Sequence, residues 1–274
     1  MARPFILRRR KQEVARELPP RTDIVVPVEL SLAEQQLYDH VRTSALAMLA
    51  AGDQRGARMN ALASLTRLRQ AACHPALLQP ETTVPSSKQE LLLELLGDVK
   101  AEGHKALVFS QFTTHLKLAR TALEAEGFSV RYLDGSTPAG KRRSEVEAFQ
   151  GGDGDVFLIS LRAGGTGLNL TAATYVLHLD PWWNPAVEDQ ASDRAHRIGQ
   201  DQPVTVYRLV SRGTVEEAIV ALHARKRELA EDLLAGTGSA AALSVDELVA
   251  LIAGELSADP VPKPAALPPT PPPA

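Results

Sequence analysis

Between residues 106 and 210 the chain repeats one pattern, a short apolar run followed by a helical stripe. The runs are Ala106–Ser110, Phe128–Leu133, Val156–Ser160, Tyr175–Leu179 and Val204–Val210. Runs with so little polar alternation predict strands buried on both faces, as in a parallel sheet. The helix after the first run holds Leu116, Leu118, Ala119 and Leu123 and ends at Gly127, and Pro138 starts another. Strand–helix alternation implies right-handed crossovers and an α/β fold. In such sheets ligands sit beyond the C-terminal strand ends. Ser110, the Gly164–Gly167 loop and Asp180 fall at such ends.

The flanking segments read differently. Residues 24–30 alternate loosely and predict a strand, with Pro27 pointing to an edge position. Ser31 opens a helix, with Glu34 completing a capping box and Leu37, Tyr38, Val41 and Ala45 continuing the stripe. Gly52 and Gly56 break it. A second helix runs through Met59, Leu62, Leu65 and Leu68 and stops before Pro75; a third covers residues 88–101. Thr214–Leu234 predicts a long amphipathic helix packed across the sheet, and Val245–Ile252 a short one. From Asp259 the proline density predicts a disordered or polyproline-like tail. The expected organisation is a lead-in strand and helical subdomain over 1–101, an α/β core with its bracing helix over 102–235, and a short helix and tail over 236–274.

At 274 residues and 44% hydrophobic, the chain can bury a core. The net charge of −3 argues mildly against a nucleic-acid binder, but basic clusters stand at Arg8–Lys11, Lys141–Arg143 and Arg225–Arg227. Each cluster alone reads as a solvated face. Cys73 is the single cysteine, so no intramolecular disulfide forms, which fits a reducing cytosol or nucleus. His74 beside it makes no metal site without further ligands, and no metal is expected. No signal peptide or membrane span is expected. The abundance of Ala, Arg and Pro suggests a GC-rich bacterial source, for which the cytoplasm and nucleoid are expected and nucleosomes are not a target; a eukaryotic source would place the chain in the nucleus.

Residues 160–200 carry the densest chemistry. A glycine-rich loop (Ala-Gly-Gly-Thr-Gly-Leu-Asn) is followed by Asp-Pro-Trp-Trp-Asn-Pro and then Gln-Ala-Ser-Asp-Arg-Ala-His-Arg-Ile-Gly-Gln. Glycines let backbone amides crowd around an anion, and arginine forks suit phosphate oxygens. Arg194 and Arg197, three apart, would share one face of a helix. Their bland reading is a surface ion pair with Asp193.

These residues resemble the Swi/Snf family of DNA-translocating ATPases, motors with two RecA-like lobes. Further blocks in family order are Arg-Pro-Phe-Ile-Leu-Arg-Arg near the start, Leu68–Leu78, Leu107–Thr113, Tyr132–Thr137, Gly164–Asn169 and Gln190–Gln200. The resemblance implies a RecA-like helicase C-terminal lobe with an N-terminal helical insertion. It implies that Arg197, supported by Arg194, reaches a γ-phosphate held by the other lobe, and that Gln190, Gly165 and Gly167 lie near the nucleotide. Ser110, Gln111, Thr113, Gly135, Ser136, Thr137, Gly164, Thr166, Asn169 and Trp183 are the implied contacts to the backbone of double-stranded DNA. One of Trp182 and Trp183 would otherwise be core, as would Phe109 and Phe112. His196 is either a base or, as we prefer, a structural hydrogen-bonding group.

The phosphate loop Gly-x-x-x-x-Gly-Lys-Thr and the Asp-Glu box of the first lobe do not occur in this sequence. The chain therefore reads as a second lobe, inactive alone, whose partners are duplex DNA and an N-terminal RecA-like lobe. ATP with magnesium is the expected cofactor, the magnesium ligands lying in the other lobe. A DNA-bound protein is a possible target. Half of a strand-separating helicase, a non-catalytic DNA- or partner-binding module and, less favoured, a stand-alone α/β enzyme are the alternatives.

Overall fold

The computed structural model describes residues 18–51, 56–163, 167–223 and 244–255. Its strands are β1 (Arg21–Val28), β2 (Ala106–Ser110), β3 (Val130–Leu133), β4 (Val156–Ser160), β5 (Tyr175–His178) and β6 (Val204–Ser211). The helices are α1 (Leu32–Ala51), α2 (Ala57–Cys73), α3 (Ser87–Ala101), α4 (Thr113–Ala125), α5 (Ala139–Gln150), α6 (Pro185–Ser192), α7 (described over 215–223) and α8 (Val245–Ala253). The six strands form one sheet in the order β1-β6-β5-β2-β4-β3, and every pairing is parallel. This is the α/β parallel sheet expected from the apolar runs. Pro27 lies on an edge strand, as its missing N–H requires.

Alternation inside each strand separates two cores. Ala106, Val108, Val156, Leu158, Tyr175 and Leu177 face α3 and α4. Leu107, Phe109, Phe157, Ile159 and Val176 face Phe149 of α5 and Ala191 of α6. A third core joins Tyr38, Val41 and Ala45 of α1 and Leu65 and Leu68 of α2 to Val215 and Ile219 of α7 and Leu248 and Leu251 of α8. The capping box at Ser31 is present, with Ser31 N–H donating to Glu34 Oε2 at 2.8 Å.

β1 and α3, within 1–101, belong to the sheet layer. Of the helix expected over 214–234 and across the sheet, the described residues 215–223 bridge the sheet end, through Glu216 and His223, and the helical cluster, where Val215 N–H donates to Tyr38 Oη at 2.8 Å. The physical reason is the apolar face of the α1–α2 hairpin, which sequence periodicity shows without naming its partner. Residues 224–234 and the tail from Asp259 lie outside the described residues. Among the described residues no helix is long and apolar enough to cross a membrane.

His115 and His178 are fully buried, and both are held well below the ordinary histidine range. Burial is the first cause for each; Lys88 adds to it at His115 and Arg208 at His178. A folded-state value below the unfolded one means that the unfolded chain binds protons first as pH falls. Stability is thus held above about pH 6.5 and lost below it, by up to about 1.4 kcal/mol per pH unit for each histidine. Thermal unfolding at pH 7.5 and 5.5 should show this loss, and His178→Gln should reduce its slope. Equal melting points at the two pH values would contradict it.

Candidate nucleotide and DNA interface

The helix α6 begins well and ends early. Asn184 caps it by accepting from Ala186 N–H at 3.1 Å, and Pro185 occupies the first turn. It stops at Ser192, so Arg194 and Arg197 do not share a helical face as expected. Tight turns replace the helix, with Arg194 N–H on Ala191 O and Ala195 N–H on Ser192 O. Gln200 then pins the segment: its Nε2 donates to Thr171 O, Ala173 O and Ala195 O at 3.0–3.1 Å. Gly199, at φ 99°, makes the turn that brings Gln200 back.

The two arginines accordingly differ. Arg194 is 6% exposed and stacks over the Phe109 ring at 5.4 Å. Burial, with Arg142 adding to it, pushes Arg194 down to about 10, so it stays charged at neutral pH. Its carbonyl accepts from Leu170 N–H at 3.0 Å, joining the arginine turn to the end of the loop after β4. Arg197 is exposed and makes no ion pair with any described residue. Asp193 pairs with Arg21 at 3.4 Å. Gln190 is exposed in the last turn of α6. His196 Nε2 donates to Pro19 O at 2.8 Å, which ties the arginine turn to the lead-in segment.

The loops at the C-terminal strand ends hold the other candidate residues. Thr113 is the first residue of α4, and its preceding position, Phe112, supplies no side-chain cap. Pro138 likewise leaves α5 without one. Helices α1, α3, α6 and α8 all have such caps. The open N–H groups at α4 and α5 are suited to phosphate oxygens. Beside α5, Gly135 and Ser136 are exposed, and Thr137 is half-buried. Asp134 shapes this loop by accepting from Ser136 N–H and Oγ at 2.8 and 2.6 Å. Lys141 and Arg162 are exposed and form no ion pair with a described residue. Gly167, at φ 102°, and Asn169 are exposed; Gly164, Gly165 and Thr166 lie outside the described residues.

Three candidate contacts are turned inward. Ser110 is fully buried, and its hydroxyl donates to Asp180 Oδ2 while accepting from Phe112 N–H at 3.0 Å. Gln111 directs its Oε1 to Arg69 at 2.9 Å. Trp183 is half-buried against the helical core, while Trp182 packs on the α5–α6 side of the sheet. Phe112, expected in the core, is half-buried beneath the Arg69 guanidinium.

Sequence reading passed over a buried polar knot behind these loops. Lys88 of α3 is 1% exposed, donates to Glu216 Oε2 at 2.6 Å and reaches Leu179 O at 3.0 Å. Glu216 also accepts from Ser211 N–H at 2.9 Å and faces Cys73 Sγ at 3.5 Å. Burial raises the Glu216 carboxyl above its usual range. Burial opposes the charge on Lys88, but Glu216 outweighs it and holds the ammonium above its ordinary value. Asp180 faces Arg69 at 3.8 Å, and burial raises its carboxyl against the pull of Arg69 and Ser110. The ligand atoms of Cys73, His115 and Asp180 lie within 4.8 Å of one another. Asp180 already accepts from Ser110 and Gln111 N–H, and burial pushes the Cys73 thiol well up. A signal existed in the spacing: Arg69 continues the buried Leu65–Leu68 stripe, and Lys88 precedes Leu92 by one helical turn.

A six-stranded parallel sheet with helices on both faces, an arginine turn on one face and phosphate-suited loops at its C-terminal ends define a RecA-like helicase C-terminal domain. Residues 87–199 match the helicase conserved C-terminal domain, and residues 1–77 match the SNF2-related domain. The chain belongs to the Swi/Snf family. It is 37% identical over 231 residues to the human SWI/SNF-related matrix-associated actin-dependent regulator of chromatin subfamily A member 1, covering 80% of this chain and 22% of that one. The Sulfolobus solfataricus SWI2/SNF2 ATPase C-terminal domain superposes with a TM-score of 0.70 at 29% identity, over 87% of this chain and all of that one. The Sulfolobus solfataricus SWI2/SNF2 ATPase core in complex with dsDNA matches with a TM-score of 0.69 at 33% identity, over 85% of this chain and 50% of that one. The chain spans less than a third of the length of the curated relatives it matches.

Proposed function

We propose that this chain is the second motor lobe of an ATP-dependent double-stranded DNA translocase. ATP, held with magnesium by an N-terminal RecA-like lobe, would meet Arg197 when the cleft closes. The observation that carries this reading is the split between the two arginines. Arg194 is buried and fixed, while Arg197 projects free of any described acid, as a group that must reach across a cleft would. Arginine in that position neutralises charge on the transferring phosphoryl group. Arg194 O and Leu170 N–H link the arginine turn to the loop after β4, so closure would be felt at Asn169 and Gly167, which in this reading would face the DNA.

The DNA grip would be mostly backbone and sequence-independent. The N-termini of α4 and α5, with Thr113, Gly135, Ser136, Thr137 and the exposed Lys141 and Arg162, offer donors to phosphates without reading bases. The same sites would serve a motor acting on a DNA-bound protein in a bacterial cytoplasm. Gln190, Gly165 and Gly167 remain our nucleotide-side candidates, with Gly164 and Thr166 on the DNA side.

The test is ATP hydrolysis with duplex DNA, by the chain alone and mixed with a separately made N-terminal lobe. We expect silence alone and turnover on mixing. Turnover by the chain alone would defeat the two-lobe reading. Silence in both, with the lobes shown to associate, would favour a non-catalytic binding module. Duplex binding by the chain should weaken with salt, at a log–log slope of about −0.9 per phosphate contacted. Trp183→Ala should weaken DNA stimulation of turnover in the mixture; unchanged stimulation would make Trp183 a packing residue. Displacement of a strand by the mixture would point to unwinding instead of translocation.

A further inference from the structure

Arg69 has no place in the mechanism above, yet its guanidinium engages both loops at the C-terminal end of the sheet. It is 3% exposed and comes from α2, in the helical cluster. Its NH1 donates to Gln111 Oε1 at 2.9 Å, in the loop after β2. Its NH2 donates to Pro181 O at 2.5 Å, in the loop after β5. The same NH2 lies 3.8 Å from Asp180 Oδ1, while the two Asp180 oxygens also hold Ser110 Oγ and Gln111 N–H. The planar group lies over three rings, Trp183 at 5.2 Å, Trp182 at 5.7 Å and Phe112 at 5.8 Å. Trp182 is pinned further: its N–H donates to Glu188 Oε1 at 2.6 Å, and its carbonyl accepts from His223 Nε2.

We propose that Arg69 is a positioning residue that clamps the loop after β2 to the tryptophan loop after β5, so that the two present one rigid face to DNA. The inference rests on the DNA-binding reading for its consequence, but the clamp itself rests on geometry alone. A buried charge needs a compensating anion and directional partners to repay its desolvation. Arg69 finds these by gathering two loops that the sheet leaves apart in sequence. Lysine cannot replace it, because a point charge lacks both the fork and the flat surface that stacks on rings. Because Arg69 belongs to α2, seating of the helical cluster on the sheet is what assembles the DNA-facing loops.

The chain carries its own reporter. Its only two tryptophans, Trp182 and Trp183, both lie under Arg69. The experiment compares the unaltered chain with Arg69→Lys by tryptophan emission, acrylamide quenching, thermal unfolding and affinity for a mixed-sequence duplex at low salt. We expect a folded variant with a red-shifted emission, a quenching constant raised about twofold, and duplex binding weakened about tenfold through lost preorganisation. A lower melting temperature with unchanged quenching would make Arg69 a packing residue and overturn the clamp. Raised quenching with unchanged affinity, where the unaltered chain binds DNA, would overturn the link between clamp and grip. If the unaltered chain binds no duplex, the DNA reading falls, and the quenching result alone decides the clamp. Should Arg69→Lys fail to fold, Gln111→Ala removes the opposite jaw at a half-buried loop position. Raised tryptophan quenching in that variant supports the clamp, and unchanged quenching overturns it.

Discussion

Arg197→Ala is expected to lower DNA-stimulated ATP turnover of the two-lobe motor by about 1,000-fold or more, the scale on which arginine fingers act in phosphoryl transfer. The same variant should leave folding and duplex affinity nearly unchanged. Arg197 is exposed and pairs with no described acid, so its removal breaks no ion pair among the described residues. Substitutions of that kind usually move stability by less than about 0.5 kcal/mol. The separation of effects is the point of the experiment. Arg194→Ala should also depress turnover, but with a stability loss, because the Arg194 side chain is buried over the Phe109 ring. Normal turnover by Arg197→Ala would remove the finger assignment and leave the phosphate role to other groups on the arginine turn.

Lys88→Met is expected to destabilise the chain by about 3–5 kcal/mol, because it strands a buried carboxylate. Glu216 would keep Ser211 N–H but lose Lys88, the one cation paired with it among the described residues, at a site where it is fully buried. For a chain of this size a melting point lower by about 10 °C is the corresponding signature. Adding Glu216→Leu to Lys88→Met should recover part of the loss, since removing both charges costs less than removing one. Recovery would stay incomplete, because Ser211 N–H would lose its acceptor. A single-variant loss below about 1 kcal/mol would mean that the pair contributes little and that water or another donor takes over the carboxylate. The location matters as much as the size. Lys88 spans α3, the end of β5 and α7, so the pair joins the helical cluster to the sheet at its functional edge.

The strands show how much was legible without coordinates. Ala106–Ser110 and Val156–Ser160 agree residue for residue, because a fully buried parallel strand writes itself as an unbroken apolar run. The capping box at Ser31 and the edge position of Pro27 were equally local signals. The arginine turn was not legible. Spacing of three predicts a shared helical face, but Gln200 makes three hydrogen bonds that hold the chain in turns, so one arginine goes in and the other out. Likewise Ser110 and Gln111 read as polar loop groups open to DNA, and the structure commits both inward, to Asp180 and Arg69.

Fold class and family were readable from the chain alone, because burial on two faces and the order of local blocks are written in neighbouring residues. Which polar groups face outward, and which are spent holding loops together, emerged with the packing of distant segments. Arg69, Lys88 and Glu216 are far apart in the chain and look like ordinary surface charges until the helical cluster closes over the sheet. Their pairing depends on desolvation, and desolvation is a property of the assembled core that no local pattern of residue types encodes.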